Sequence, residues 1–394
     1  MSGEPRSFLD VSAAPGQEEV DRTRARLVDF SHGDVDAFPP VPGAGEAIAA
    51  AINRGGSAAY SPYRGHREVR THAAARIAEF TGVPVDPDSE IIITPGTQTA
   101  LYLTLAASLS PGDAVAIIEP DYFANRRIPL SLGAVPHPVR LEYPDDAESS
   151  IRFDELDAAL AAGARVVVLS NPNNPTGVVY SAEVLGAVVE RAEAADALLV
   201  VDELYSRLVY DDRPFTHMRA LPLAAGRCVT LLGPSKTESL SGFRVGAAVG
   251  PAPVIARMEQ LLGIVSLRTA GYNQSVLDTW FEEPEGWLAQ RTLQHREIRD
   301  GLVARFRVVP GLRVRATEGG SYLFVRPPRL TVSVDELVRI AREDEDVVVT
   351  RGAEFGPGVA DGFRLNFSQD RERAFAAVDR LVALMSTKLP GAES

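Results

Sequence analysis

Only two of the chain's many cations are lysines, Lys236 and Lys388; every other basic side chain is arginine. A neutral amine can attack a carbonyl carbon, and a guanidinium, charged at all accessible pH, cannot. Lys236 stands in LLGPSKTESLSGFRVG, where an apolar run ending at Leu232 gives way to a Gly-Pro-Ser turn. As plain structure it would be a solvated loop lysine. Its place just past the C-terminal end of a strand-like run is where ligands bind in parallel α/β sheets. There a lysine can form a Schiff base with an aldehyde cofactor.

Pyridoxal 5'-phosphate is the aldehyde such a lysine suggests. It requires an acid for its ring nitrogen, a polar group for its ring hydroxyl, donors for its phosphate and a ring to stack on it. Asp202 ends the apolar run of LLVVDELY, where it could cap a helix or keep the ring nitrogen protonated as a buried carboxylate. Tyr205, three residues on, could donate to the ring hydroxyl. SNPNNPTG, 170–177, is a turn-rich loop in which Asn174 offers an amide donor for the same oxygen. TPGTQTALYL, from Thr94, places Gly96, Thr97 and Gln98 at a strand-to-helix junction, and helix N-termini attract anions. Ser235 and Arg244 would add a hydroxyl and a guanidinium to that phosphate site.

The elements that must hold these residues can be read from the apolar runs. EIIIT ends at Thr94, AVAIIE at Glu119, RVVVLS at Ser170, LLVVDE at Glu203, RCVTLL at Leu232 and VGAAVG at Gly250. Helical segments separate most of them. The pattern predicts an α/β fold with a mostly parallel central sheet wrapped by helices. After about residue 285 the texture changes to a long polar helix, short strands and two further helices, which reads as a smaller α+β domain. The expected division is 1–45 as an N-terminal segment joining the small domain, 46–285 as the large domain and 286–394 as the small one.

Composition excludes several other classes. The 394 residues carry 53 acidic and 40 basic side chains, a net charge of −13, which argues against nucleic acid as the main partner. No apolar stretch reaches the roughly 18 residues needed to span a bilayer. The start, MSGEPRSFLD, does not read as a signal peptide. A lone cysteine, Cys228, offers neither a disulfide nor a cysteine-rich metal site, so no metal is expected and a reducing, cytoplasmic setting is the simplest expectation.

NPNNPTG, then Asp-x-x-Tyr, Ser-Lys and Gly-x-Arg together resemble the class I/II, fold-type I pyridoxal-phosphate aminotransferases. The resemblance extends from DFSHGDVD near residue 30 to FRLNFS near 365. It implies that Lys236 holds the cofactor as an aldimine and shuttles the substrate's Cα proton, with transamination between an L-amino acid and a 2-oxo acid in a ping-pong cycle. By the same resemblance Asp202 pairs with the pyridine nitrogen, Asn174 and Tyr205 contact the ring hydroxyl, and Gly96, Thr97, Ser235 and Arg244 bind the phosphate, with Gln98 in the same turn. Tyr122 matches the aromatic that stacks on the ring, although a core tyrosine would read the same way. Tyr60 matches a tyrosine that reaches the neighbouring subunit's phosphate, which implies a homodimer with shared active sites. Arg364 and Gly33 match the arginine and glycine that receive the substrate's α-carboxylate.

The sequence departs from the family's pattern at three places. Gly233 replaces a serine that many members use for the phosphate, Arg351 replaces a proline in the small-domain turn, and His32 precedes Gly33 where an apolar or amide residue is common. Arg351 and His32 could touch substrate or be tolerated surface changes. The substrate side chain stays open: Arg268, with Arg126 and Arg127 as weaker candidates, would favour acidic substrates, whereas Asp34, Asp36 and Glu238 would favour basic ones. A related cofactor chemistry, such as cyclisation, elimination or oxidation of an arginine-like amino acid in specialised metabolism, is the alternative. A regulatory, non-catalytic use of the cofactor is a further one.

Overall fold

The computed structural model describes residues 26–55 and 59–391, so the expectations for residues 1–25 lie outside the described residues. The chain enters through strand β1 (Val28–Asp29) and helices α1 (Ala44–Asn53) and α2 (Arg67–Thr81). It then builds one large sheet from β2 (Ile91–Thr94), β3 (Ala114–Glu119), β4 (Val135–Glu142), β5 (Ser150–Ile151), β6 (Val166–Ser170), β7 (Leu198–Asp202), β8 (Cys228–Leu232) and β9 (Gly246–Val249). Helices α3 (Thr97–Ser108), α4 (Phe123–Ser131), α5 (Phe153–Ala161) and α6 (Ala182–Ala194) connect these strands, and α7 (Ala252–Val265) and α8 (Gly271–Gln274) follow.

The strand order is β2-β9-β8-β7-β6-β3-β4-β5. Neighbours from β8 through β4 run parallel, and β9 and β5 are the reversed strands. The six apolar runs of the sequence are all strands of this sheet. Their side chains alternate between its faces, as a strand's period of two requires. In β3, β6 and β7, Ile118, Leu169 and Val201 pack toward the side covered by α5 and α6. Ile117, Val168 and Val200 pack toward the side covered by α3 and α7. Both faces are therefore apolar and covered, the condition under which parallel strands are stable.

The long helix α9 (Trp287–Phe306) leads into a second core built on β10 (Arg313–Val314), β11 (Tyr322–Arg326), β13 (Thr350–Arg351) and β14 (Phe363–Asn366). This antiparallel sheet has the order β10-β11-β14-β13. Helices α10 (Val334–Asp344) and α11 (Arg371–Thr387) cover it. α10 starts with a capping pattern, the Ser333 hydroxyl accepting from the Glu336 N–H. β1 pairs in parallel with β12 (Val347–Val348), so the N-terminal segment belongs with the second core. Tyr205 and Leu208, which follow β7, pack into that core as well, and the turn after β7 thus lies where the two cores meet.

Candidate active site

In the parallel strands every C-terminal end opens on one edge of the large sheet, and the reversed strand β9 begins on that same edge. The turns after β2, β3, β6, β7 and β8 and the turn before β9 therefore converge there. They line a cavity of about 150 Å³ with Thr97, Gln98, Tyr122, Asn174, Asp202, Tyr205, Ser235, Lys236 and Arg244. Gly96 joins them as the residue whose backbone presses on Arg244: a Cβ there would run into the Arg244 guanidinium, and its φ of +85° favours glycine. Lys236 also borders a second cavity of about 350 Å³, which His32, Gly33 and Asp34 line from the N-terminal segment.

One end of the first cavity is suited to an anion. Thr97 opens helix α3, which has no side-chain cap, and its buried Oγ1 has no hydrogen-bond partner in the protein. Arg244 and the buried hydroxyl of Ser235 stand at the same end. A Cβ on Gly233 would lie 2.8 Å from Thr97 Oγ1 and 3.2 Å from the Cα of Gly246. The threonine hydroxyl thus occupies the space that a serine at 233 would need, which accounts for that departure from the family pattern.

Arg364, buried on β14, contacts two residues that line the cavity, Asn174 and Tyr322. Its guanidinium lies between the rings of Tyr322, 4.2 Å away, and Phe355, 4.8 Å away. It donates to Asn174 Oδ1 at 3.1 Å and to the Ser31 carbonyl at 2.9 Å, and its Nε is buried without a partner. Because Asn174 spends its carbonyl oxygen on Arg364, its amide N–H groups remain for a ligand. The rigid fork of an arginine held this way suits a carboxylate.

Asp202 also lines the cavity. Burial pushes its carboxyl up to about 6, against the pull of the Leu204 backbone N–H and of the nearby Lys236 charge. A cation placed against it would favour the ionised form. Tyr122 forms another wall, its hydroxyl donating to Gln98 Oε1 at 2.9 Å.

Several sequence candidates are placed elsewhere. Tyr60 is 80% exposed, and Arg268 stacks on Tyr60 and Tyr63 of its own chain, at 4.6 and 4.4 Å, and neither lines the cavity of this chain. Arg126 is paired with Glu119 at 2.8 Å, and Arg127 and Arg351 both with Glu354. Glu238 is buried against Arg207, with burial pushing its carboxyl up to about 7. Asp34 accepts from the backbone N–H groups of Asp36 and Ala37, which makes it a turn-former. His32 Nε2 lies 3.3 Å from Asp29 Oδ2. Burial works against ionisation of Asp29, but hydrogen bonds from His32 and Ser31 outweigh it and hold the carboxyl down at about 2.

Two residues near the cavity carried no signal that sequence reading used. Tyr322 lines it from β11, preceded by a Gly-Gly pair that is the one visible hint. Asp121 lies behind it, fully enclosed, accepting from the N–H and hydroxyl of Ser170 at 2.8 and 2.5 Å. Among the described residues no helix is long and apolar enough to cross a membrane, and no His, Cys, Asp and Glu cluster could hold a metal ion.

Residues 25–381 match the family model for aminotransferase class I and II. The chain is 31% identical over 368 residues to an arginine–pyruvate transaminase of Pseudomonas aeruginosa, covering 92% of this chain and 90% of that one. A crystal structure of an aspartate aminotransferase from Rhodobacter sphaeroides is 49% identical and superposes with a TM-score of 0.90, covering 92% of this chain and 94% of that one. The N-succinyldiaminopimelate aminotransferase of Mycobacterium tuberculosis is 27% identical with a TM-score of 0.84, covering 92% and 94%.

Proposed function

The chain belongs to the class I and II aminotransferase family and is an aminotransferase, and on that premise we propose that it works with pyridoxal phosphate linked to Lys236, moving an amino group from an L-amino acid to a 2-oxo acid in a ping-pong cycle. The observation that carries this reading is the convergence on one cavity of an amine, a part-buried carboxylate and an anion site. The fit to the cofactor is supported by the partnerless Thr97 Oγ1 and by the glycine that lets the backbone approach Arg244. The related cyclising, eliminating or oxidising chemistries are not favoured, because the relatives are named as aminotransferases.

Thr97, Ser235 and Arg244, with the backbone from Gly96 to Gln98, hold the phosphate. Asp202 keeps the ring nitrogen protonated, Asn174 and Tyr205 bond the ring hydroxyl, and Tyr122 stacks on the ring. Arg364 grips the substrate α-carboxylate, with Gly33 approaching it from the N-terminal segment and His32 beside it. Bound in this way, pyridoxal phosphate supplies an electron sink for the pair left when a Cα–H bond breaks. With the cofactor held there, Lys236 would be the base that removes the substrate's Cα proton and the acid that returns it. Purified protein should absorb in the visible, and borohydride should fix the cofactor to Lys236. Lys236→Arg should lose both that fixation and the amino-transfer half-reaction. Cofactor fixed at another residue, or a colourless protein that cannot be reconstituted, removes this assignment.

The same reading divides the chain at about residues 45 and 285 and makes the working unit a homodimer, in which Tyr60 and Arg268 of one subunit complete the other's site. Arg268 would then favour acidic side chains, the class named for the R. sphaeroides relative, over the basic one named for the P. aeruginosa relative. The paired states of Arg126, Arg127 and Arg351 leave them little charge to offer. A half-reaction screen decides. If Arg268→Ala converts dicarboxylic amino acids as fast as the parent, the acidic-substrate assignment is dropped.

A further inference from the structure

Tyr205 and Tyr322 come from the two cores, and their hydroxyls meet at 2.7 Å, with Tyr205 donating. The rings are 5.3 Å apart and nearly perpendicular, at 74°. Both are buried. A phenol has one proton to donate, and that of Tyr205 is directed at Tyr322. Tyr322 is in turn anchored on three sides. Its strand β11 is registered against Asn366 of β14, its carbonyl accepts from the Thr317 hydroxyl, and its ring carries the Arg364 guanidinium.

We propose that Tyr322 is a positioning residue that competes with the cofactor's ring hydroxyl oxygen for the single proton of Tyr205, and so sets how strongly that oxygen is held as an anion. The inference rests on the assignment of Tyr205 to the ring hydroxyl. Its physical basis is the 2.7 Å contact in which Tyr205 donates to Tyr322, and the two phenols are also unequal in character. Burial opposes ionisation of Tyr322, yet Lys236, Arg364 and the hydrogen bond from Tyr205 together bring its phenol below the usual range. Burial, followed by the charge and bond of Tyr322, drives Tyr205 the other way. The groups facing Tyr322 are Lys236 after β8, Asp202 at the end of β7, Tyr205 after it, Arg364 on β14 and Tyr122 after β3. Because Tyr322 stacks on Arg364, a carboxylate bound to that arginine acts on the same ring, which links substrate binding to the Tyr205 proton.

The test uses holoenzyme, reading the pH midpoint of the visible absorbance change of the lysine-bound cofactor. In Tyr322→Phe the Tyr205 proton is released to the ring oxygen, whose anion it stabilises, and the midpoint should fall by about one pH unit, the size of one hydrogen bond to a charged group. Tyr205→Phe removes the donor and should raise the midpoint. Tyr322→Phe added to Tyr205→Phe should change nothing further, because Tyr322 acts only through Tyr205. An unchanged or raised midpoint in Tyr322→Phe, or a shift that persists in the double variant, overturns the proposal. If Tyr322→Phe does not fold, Tyr205→Phe apoprotein carries the test. The tyrosinate absorbance should then appear at higher pH than in the parent, and an unmoved titration overturns it. A parent protein without a visible band, or with cofactor fixed at another lysine, refutes the cofactor assignment instead, so the two failures are distinct.

Discussion

Gly233 shows how a single missing side chain is explained by what surrounds it. Without a Cβ it lets Thr97 Oγ1 and the Gly246 backbone close over the anion end of the cavity. Gly233→Ser would force a shift in a β-branched neighbour with few rotamers or in backbone. The expected cost is about 1–3 kcal/mol of stability, as for other overpacked sites, together with faster loss of cofactor on dilution. Denaturant unfolding of the apoprotein and cofactor release by absorbance measure both. Tighter retention at unchanged stability would show that Thr97 yields easily and that the serine simply adds a donor. At this scale the sequence was readable where chemistry dictates residue type. Lys236, Asp202, Asn174 and Arg364 are each hard to replace in their proposed tasks, and each stands in a recognisable string. Tyr322 was not readable, because an aromatic in a strand usually packs a core, and its partner Tyr205 is 117 positions away. Arg126, Arg127 and Arg351 misled for the related reason that a guanidinium's partner carboxylate is visible only in space.

The elements place the site by strand direction. Five parallel neighbours deliver their C-terminal turns to one edge, and β9, though reversed, delivers Arg244 there from its beginning. β4 escaped sequence reading because Pro136 and Pro138 interrupt its pattern. Proline is tolerated near a sheet's edge, where fewer N–H groups are needed for pairing, and β4 has only the two-residue β5 outside it. The turn after β3 is tied to the end of β6 by Asp121, which accepts from Ser170 and from the Tyr122 N–H. Burial pushes the Asp121 carboxyl up from 3.8 to about 8. The folded protein therefore keeps this proton over a range in which the unfolded chain has lost it. Stability from this group is fully present below about pH 4 and declines as pH rises toward 8. Asp202 and Glu238, with raised carboxyls at about 6 and about 7, act with the same sign. Apoprotein melting should therefore be lower at pH 8 than at pH 6, and Asp121→Asn should flatten part of that decline. A melting temperature that rises over this interval, or an identical slope in the variant, contradicts the assignment.

The whole molecule leaves one surface unaccounted for. Tyr60, Tyr63, Ile264, Val265 and Leu267 are exposed apolar side chains, and Arg268 lies against the two tyrosines with its Nε buried and partnerless. Clustered exposed apolar groups of this kind mark association surfaces. The two residues proposed to complete a neighbouring subunit's site, Tyr60 and Arg268, are those that stack together here. Pre-stacking would fix both side chains beforehand and so lower the entropy lost in the proposed association. Sharing of sites can be tested without knowing the interface. A Lys236→Ala subunit lacks the amine but retains Tyr60 and Arg268, and a Tyr60→Ala, Arg268→Ala subunit has the reverse defect. Each homodimer should be inactive or nearly so. After mixed refolding, the hybrid dimer contains one site with Lys236 from one chain and both completing residues from the other. Its activity should therefore reappear, while the second site of the same hybrid carries both defects and stays silent. Recovery must scale with the hybrid fraction isolated by differential tagging. If the purified hybrid is no more active than its parents, each chain completes its own site, and the exposed tyrosine–arginine stack needs another occupant.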